Sequence, residues 1–197
     1  TLCLAQHTMA NITGLDLFPQ FIDLLNQRSR ESGLSLRLKG IVGDMGNLPF
    51  EQESLDLIWS EGAIYNIGFK QGIQLWKPFL KPGGWLAVSE ATWFTEHRPQ
   101  EIEQFWRDAY PEIDTVEQKL KQLEEAGYRH ISSFTLPDNC WTTHFYQPQQ
   151  EAQRFFLERY PDSPTAEMLV ANQRHEAELY GKYNAYYGYT FFVAQRP

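Results

Sequence analysis

The sequence predicts an α/β fold in which a mostly parallel sheet carries helices on both faces. Short apolar runs of the kind that form buried strands alternate with amphipathic helical patterns along most of the chain. The connections between them are short and rich in Gly, Pro, Asn and Asp, which mark turns. Several of the apolar runs also end at an acidic residue. In a parallel sheet these ends share one edge, where ligands bind.

Six strands are predicted, each from a short apolar run bounded by turn residues. The helix after the first strand is expected to begin at Pro19, which suits the first helical position, and to stop at Gly33. A second helix is expected over residues 69–80, and the Lys-Pro-Gly-Gly sequence at 81–84 indicates a strong break after it. The predicted strands span residues 11–16, 36–42, 55–60, 85–89, 131–136 and 189–195.

The chain shows no repeat and no linker, so we expect a single domain over residues 1–197. Residues 137–188 are too long for a hairpin loop and carry two helical patterns, at 149–160 and 165–186. We interpret them as a cap inserted over the sheet edge. The expected parts are a core at residues 1–92, 115–136 and 189–197, a helical excursion at 93–114, and the cap at 137–188.

Composition excludes several classes of function. The formal net charge is −8, with no cluster of Lys and Arg, so a nucleic acid is not the expected partner. Cys3 and Cys140 lie far apart, and the five histidines lack metal-binding spacing, so we expect neither a disulfide framework nor a metal site. No apolar run approaches the length of a membrane span, and no signal peptide is recognisable. We therefore expect a cytoplasmic protein that does not bind membranes.

Residues 41–66 form the stretch around which the predicted sheet is organised. They are predicted as a strand end, an acidic turn at Asp44, a second strand and a second acidic turn at Ser60-Glu61-Gly62. Two strands that each stop at a carboxylate indicate that one edge of a parallel sheet faces a ligand.

Four motifs in this order resemble the class I S-adenosylmethionine-dependent methyltransferases, and more closely the bacterial "type 11" group that acts on small molecules. They are ITGLD at 12–16, GDMGNLPF at 43–50, LDLIWSEGAIYNI at 55–67 and LKPGGWLAVSE at 80–90. The resemblance implies a Rossmann-like sheet of seven strands in the order 3-2-1-4-5-7-6, with strand 7 antiparallel. It also implies S-adenosylmethionine as cofactor and a small-molecule acceptor of the methyl group.

The resemblance implies roles for residues at three places. Asp16, with Leu17 beside it, would accept hydrogen bonds from the ribose, since two carboxylate oxygens suit a vicinal diol. Asp44 would accept from the adenine amino group, with Met45 against the ring. The methionine end and the methyl donor would lie against residues 60–63, of which Ser60, Glu61 and Gly62 are the cofactor-binding candidates.

The sequence departs from the family pattern at its beginning. The first strand and its glycine-rich turn are absent, and residues 1–10 resemble the helix that should follow that turn. We therefore expect a truncated sequence whose sheet lacks its central strand. Such a gap leaves backbone groups unpaired on both neighbouring strands.

Simpler roles are open for the same acidic residues. Asp16 could be only an acid at the start of a helix, favoured by the helix dipole, and Asp44 could be only an Asx-turn residue. Glu61 could be solvated at a strand end. Glu90, predicted to end its strand, could serve a salt bridge.

Methyl transfer requires mainly the alignment of acceptor, methyl carbon and sulfur, with a base only if the acceptor must lose a proton. Glu61, Tyr65 and His144 are the candidates for positioning or deprotonating the acceptor. Tyr65 could instead cap the next helix, and His144 could be structural.

Two other functions fit the same pattern. One is a non-catalytic binding protein with a methyltransferase fold, which the missing first motif favours. The other is a nicotinamide-dependent oxidoreductase, although no tyrosine is followed by lysine four residues later as in short-chain reductases. The sequence leaves open whether the protein is a homodimer.

Overall fold

A computed structural model describes all 197 residues. The chain forms two compact units, residues 1–54 and residues 55–197. We call them unit 1 and unit 2 and describe each separately. The single domain expected from the sequence stays a prediction.

Unit 1 is a small α/β unit built on two parallel strands. It consists of helix α1, strand β1, helix α2 and strand β2, with Ile12 opposite Leu38 and Asp16 opposite Val42 in the strand register. The Asn26 side chain on α2 accepts from the Gly40 N–H at 2.7 Å and donates to the Gly40 carbonyl at 3.2 Å. These bonds satisfy backbone groups of β2 that no strand pairs. The elements span Leu2–His7 (α1), Ile12–Asp16 (β1), Pro19–Glu31 (α2) and Leu38–Val42 (β2).

Unit 2 contains the larger sheet, with strand order β3-β4-β7-β6 and β5 beside β4. Strands β3, β4 and β5 run parallel, whereas β7 is antiparallel to both β4 and β6. The elements are β3 Leu55–Ser60, α3 Phe69–Trp76, β4 Leu80–Trp93, α4 Gln100–Ala109, β5 Asp114–Thr115, α5 Val116–Glu125, β6 Arg129–Thr135, α6 Gln147–Arg159, α7 Pro164–Tyr183 and β7 Tyr187–Gln195.

The mostly parallel α/β fold with an antiparallel last strand and a helical cap is confirmed. Strand β1 pairs only with β2, and β3 pairs only with β4. The strands of unit 1 thus correspond to 3-2 of the expected order, and those of unit 2 correspond to 4-5-7-6. No helix is long and apolar enough to cross a membrane.

Strand β4 differs from its prediction at both ends. The break expected at residues 81–84 is instead a bulge within the strand, because Leu80 lies opposite Leu55 and Trp85 already lies opposite Leu57. Gly83 has φ +77°, and its N–H donates to the Arg196 carbonyl. The turn residues therefore bend the strand without ending it.

Three smaller features also differ from the sequence prediction. The α-helical part of the second predicted helix ends at Trp76 and continues as a 3-10 turn, Lys77–Phe79, which contains Pro78. Strand β5 is only two residues long and carries no periodic pattern. The cap contains a π-helix, Thr142–Tyr146, which short-range propensity does not indicate.

A buried ion pair joins the sheet of unit 2 to helix α5. Lys119 Nζ lies 2.8 Å from Glu90 Oε1, and both side chains are 0% exposed. The same ammonium donates to the Glu112 carbonyl at 2.8 Å and lies 4.7 Å from the centre of the Phe69 ring. The salt-bridge role of Glu90 is therefore confirmed. Its predicted place at the strand end is wrong, because β4 continues to Trp93.

Replacing Lys119 with Met is expected to lower the free energy of unfolding of unit 2 by about 3–5 kcal/mol, because Glu90 would remain buried without its counter-charge. The double variant Lys119→Met/Glu90→Gln should recover most of that loss. Urea denaturation measures both. Lys121→Met, on the exposed face of the same helix, is the control and should change stability by less than about 0.5 kcal/mol. Equal losses in the single and double variants would contradict the assignment.

Candidate functional site

The two carboxylates predicted in unit 1 lie at the carboxyl ends of its parallel strands. Asp16 is the last residue of β1, and Asp44 follows β2 by two residues. The Gly43 N–H donates to the Asp16 carbonyl at 2.9 Å, so the two strand ends are directly joined. Leu17 is exposed beside Asp16, and Met45 is half-buried beside Asp44.

Each of these carboxylates uses one oxygen in a local turn. Asp16 Oδ1 accepts from the Phe18 N–H at 2.9 Å, and Asp44 Oδ1 accepts from the Gly46 N–H at 2.7 Å. The simpler roles, at the start of α2 and in an Asx turn, are therefore present in the structure. They leave the second oxygen of each carboxylate available as an acceptor. This donor–acceptor chemistry fits the hydroxyl and amino groups of a nucleoside.

The turn after β3 in unit 2 is fixed by the neighbouring strand. Ser60 ends β3, and Gly62 adopts φ +55°, in the left-handed region that favours glycine. The Gly62 N–H donates to Ser89 Oγ at 2.8 Å, and Ser89 is buried in β4. Glu61 is exposed, and its carboxylate accepts from Trp59 Nε1. The turn thus presents the Glu61 carboxylate and the Gly62 backbone. A side chain at position 62 would occupy part of the space beside them.

Tyr65 is linked to the buried ion pair through a second tyrosine. It lies in the 3-10 turn Ile64–Ile67 and is 43% exposed. Its ring packs edge-on against the ring of Tyr110, with ring centroids 6.0 Å apart. The Tyr110 hydroxyl in turn donates to Glu90 Oε1 at 2.5 Å. Burial raises the pKa of Tyr110, and the nearby Glu90 charge raises it further, so Tyr110 remains a hydrogen-bond donor.

His144 makes no contact with the other two candidates for positioning or deprotonating the acceptor. It lies on the π-helix of the cap and is exposed. No hydrogen bond or ring contact joins it to Glu61 or Tyr65. Its role with the acceptor stays a prediction.

Tyr189 on β7 was missed by the sequence reasoning, which placed it only in the terminal strand. Its hydroxyl oxygen lies 3.6 Å from the point that a Cβ on Gly62 would occupy. Its ring stacks on Trp141 with centroids 4.7 Å apart and an interplanar angle of 15°. One signal was available, because Tyr187 and Tyr189 alternate with the period of a strand and so share a sheet face.

The cap packs on this sheet face through aromatic side chains. The other face of Trp141 stacks on Tyr180, with centroids 4.8 Å apart. The Tyr146 hydroxyl donates to Glu176 Oε1 at 3.0 Å at the edge of the same cluster. Burial raises the pKa of Glu176, and the hydrogen bond from Tyr146 partly opposes this.

A cavity of about 500 Å³ lies between the two cap helices. Most of the residues that line it are polar. Gln153, which is buried, donates to Gln173 and accepts from Arg174, both at 3.2 Å. The lining residues are Tyr146, Gln149, Gln150, Gln153, Gln173, Arg174, Ala177 and Glu178.

The chain matches a known protein family and known structures. Residues 1–88 match the family described as "Methyltransferase domain". The structure superposes on a S-adenosylmethionine-dependent methyltransferase from Thiobacillus denitrificans, solved with S-adenosylhomocysteine, with a TM-score of 0.81 at 21% identity. The match covers 99% of this chain and 79% of that one. The chain has the class I S-adenosylmethionine-dependent methyltransferase fold. The resemblance found in the sequence is thereby confirmed.

Two curated relatives are methyltransferases of small molecules. The chain is 30% identical over 138 residues to a sterol 24-C-methyltransferase of Pneumocystis carinii, covering 64% of this chain and 36% of the relative. It is 32% identical over 117 residues to a phthiotriol/phenolphthiotriol dimycocerosates methyltransferase of Mycobacterium leprae, covering 59% and 38%. The aligned regions thus span little more than a third of these relatives.

Glu176→Gln is expected to make the stability of the protein less dependent on pH. Because the pKa of Glu176 is raised in the folded state, its contribution to stability is fully present below the unfolded value of 4.5 and is lost as pH rises through the folded pKa. Glutamine keeps an acceptor for Tyr146 but cannot ionise.

The difference in Tm between Glu176→Gln and the wild type should therefore be more positive at pH 8 than at pH 4, by thermal denaturation. Glu178→Gln, exposed on the same helix, is the control and should show no such change. An equal difference at both pH values would show that Glu176 does not titrate in this way.

Proposed function

We propose that this chain functions in the transfer of a methyl group from S-adenosylmethionine to a small-molecule acceptor. The observation that carries the proposal is the placement of Asp16 and Asp44 at the carboxyl ends of adjacent parallel strands, each with one carboxylate oxygen unused. The match of residues 1–88 to the methyltransferase domain supports it.

In this proposal the predicted cofactor-binding residues have the roles that the resemblance implies. Asp16, with Leu17 beside it, binds the ribose hydroxyls of the cofactor. Asp44 accepts from the adenine amino group, and Met45 lies against the adenine ring. In unit 2 the turn of Ser60, Glu61 and Gly62 lines the methionine end, where the Glu61 carboxylate suits the positive charge of a sulfonium or ammonium group.

The cofactor supplies a methyl group already activated on a sulfonium, and the electron pair of the broken carbon–sulfur bond stays on sulfur. The protein's task is therefore to bind, orient and exclude water. Glu61 and Tyr65 lie on the segment that follows β3. Glu61 positions the acceptor or receives its proton, and Tyr65 positions the acceptor. His144 is retained as a third candidate, carried by the cap.

The acceptor is a small molecule in this proposal, and a sterol and a phthiotriol lipid are named for the two relatives. The lack of a nucleic-acid partner is proposed on the net charge of −8 and the absence of a basic cluster. A cytoplasmic location is proposed on the two cysteines, which form no disulfide. A homodimer remains compatible with all of these points.

The cofactor assignment is tested by Asp16→Ala and Asp44→Ala. Each variant removes a charged hydrogen bond to the cofactor, so S-adenosylhomocysteine affinity should fall about tenfold or more in titration calorimetry. Asp23→Ala, exposed on α2 in the same unit, is the matched control and should bind like the wild type. Circular dichroism checks that each variant is folded. Wild-type affinity in both test variants would overturn the assignment.

A further inference from the structure

Tyr189 lies where the sheet, the β3 turn and the cap meet within unit 2. It pairs with Ala91 across the β4–β7 ladder, and Ser89 lies two residues before Ala91 on the same sheet face. Ser89 Oγ accepts the Gly62 N–H at 2.8 Å. The strand register therefore places the Tyr189 ring beside the turn that Ser89 holds. The Tyr189 hydroxyl oxygen lies 3.6 Å from the point that a Cβ on Gly62 would occupy.

The ring of Tyr189 is held, whereas its hydroxyl is free. Trp141 covers one ring face and is itself only 4% exposed. The Tyr189 hydroxyl makes no hydrogen bond within the protein and is accessible to solvent. A phenol fixed by stacking with an unused hydroxyl at a glycine turn has the form of a preorganised ligand contact.

Neighbouring groups keep this hydroxyl in its neutral form. Burial raises the pKa of Tyr189, and Tyr65, Glu90 and Glu176 each raise it further. A neutral phenol has oxygen lone pairs and one proton, so it can accept a hydrogen bond from an N–H or O–H group and cannot act as a base at neutral pH.

We propose that Tyr189 contacts the bound ligand at the site of methyl transfer. Its hydroxyl lies beside the position of the transferred methyl group and accepts a hydrogen bond from an N–H or O–H group of the acceptor. This inference rests on the proposed function, since it takes the Gly62 turn as the methyl-donor end. It assigns to the acceptor a hydroxyl or amine at the atom that is methylated. It also gives Trp141 a function, because the stack on Trp141 fixes the direction of the hydroxyl.

The test needs no knowledge of the acceptor, because sinefungin is a cofactor analogue that carries an amino group in place of the transferred methyl. Its ammonium places N–H donors at the position of the methyl group, beside the proposed position of the Tyr189 hydroxyl. S-adenosylhomocysteine lacks any group at that position. Titration calorimetry with both ligands therefore isolates the contact at the methyl position from the rest of cofactor binding.

Tyr189→Phe should weaken sinefungin binding about tenfold, the effect of losing one hydrogen bond to a charged group, and should change S-adenosylhomocysteine binding less than twofold. Tyr187→Phe is the matched control on the same strand and sheet face. Its hydroxyl is buried in the aromatic core of unit 2, so that variant should bind both ligands like the wild type.

Equal affinities of Tyr189→Phe and the wild type for sinefungin would overturn the inference and leave the cofactor assignment standing. Equal weakening of both ligands would also overturn it, since the hydroxyl would then act on the cofactor site in general. Failure of the wild type to bind either ligand would overturn the proposed function and this inference with it. Thermal denaturation of each variant excludes a loss of fold as the cause.

Discussion

The ion pair between Glu90 and Lys119 is the interaction on which the architecture of unit 2 depends. It places a carboxylate within β4 and an ammonium on α5, both 0% exposed, so an arrangement of strand and helix that separated them would leave two buried charges unpaired. Tyr110 joins the pair after α4 and carries Tyr65 against its ring. The ion pair thereby connects strand β4, helix α5, the residue that follows helix α4, and Tyr65.

The position of β4 then determines the neighbouring site residues. On the opposite side of the strand from Glu90, Ser89 holds the Gly62 turn, and the antiparallel register brings Tyr189 beside it. The cap adds its contribution through Trp141, which lies between Tyr189 and Tyr180. The polar groups of the turn therefore rest on a rigid strand and an aromatic stack, as preorganised binding requires.

In unit 1 the backbone geometry positions the two candidate carboxylates. Its two parallel strands end together, and each supplies a carboxylate with one oxygen in a turn and one oxygen available. The turn hydrogen bonds orient the carboxylates, so the structural and the ligand-binding interpretations of Asp16 and Asp44 are compatible. The edge of β2 is covered by Asn26, while β1 pairs on one side alone.

The sequence allowed prediction of those features that depend on local pattern. Apolar runs predicted the strands, and acidic turns after them predicted Asp16, Asp44 and Glu61. The bulge at residues 81–84 was misjudged because its residues favour a turn, while pairing with β3 on both sides of it keeps the strand whole. Glu90 appeared to lie at a strand end because nothing in the sequence shows that β4 extends to Trp93.

Tyr189 could not be predicted as a site residue from local pattern. Its position depends on the register between β4 and β7 and on the Ser89 hydrogen bond to a turn distant in sequence. The same holds for the pairing of Glu90 with Lys119, since an isolated charged residue on a helix usually faces solvent.

In the proposed site, Gly62 and Tyr189 flank the methyl group of bound S-adenosylmethionine. This placement is tested most directly by isotope-edited NMR with cofactor carrying a ¹³C-labelled methyl group. Nuclear Overhauser effects are expected from that methyl to the Tyr189 ring and to the Gly62 α-protons. A bound methyl whose contacts all lie elsewhere on the protein would contradict it.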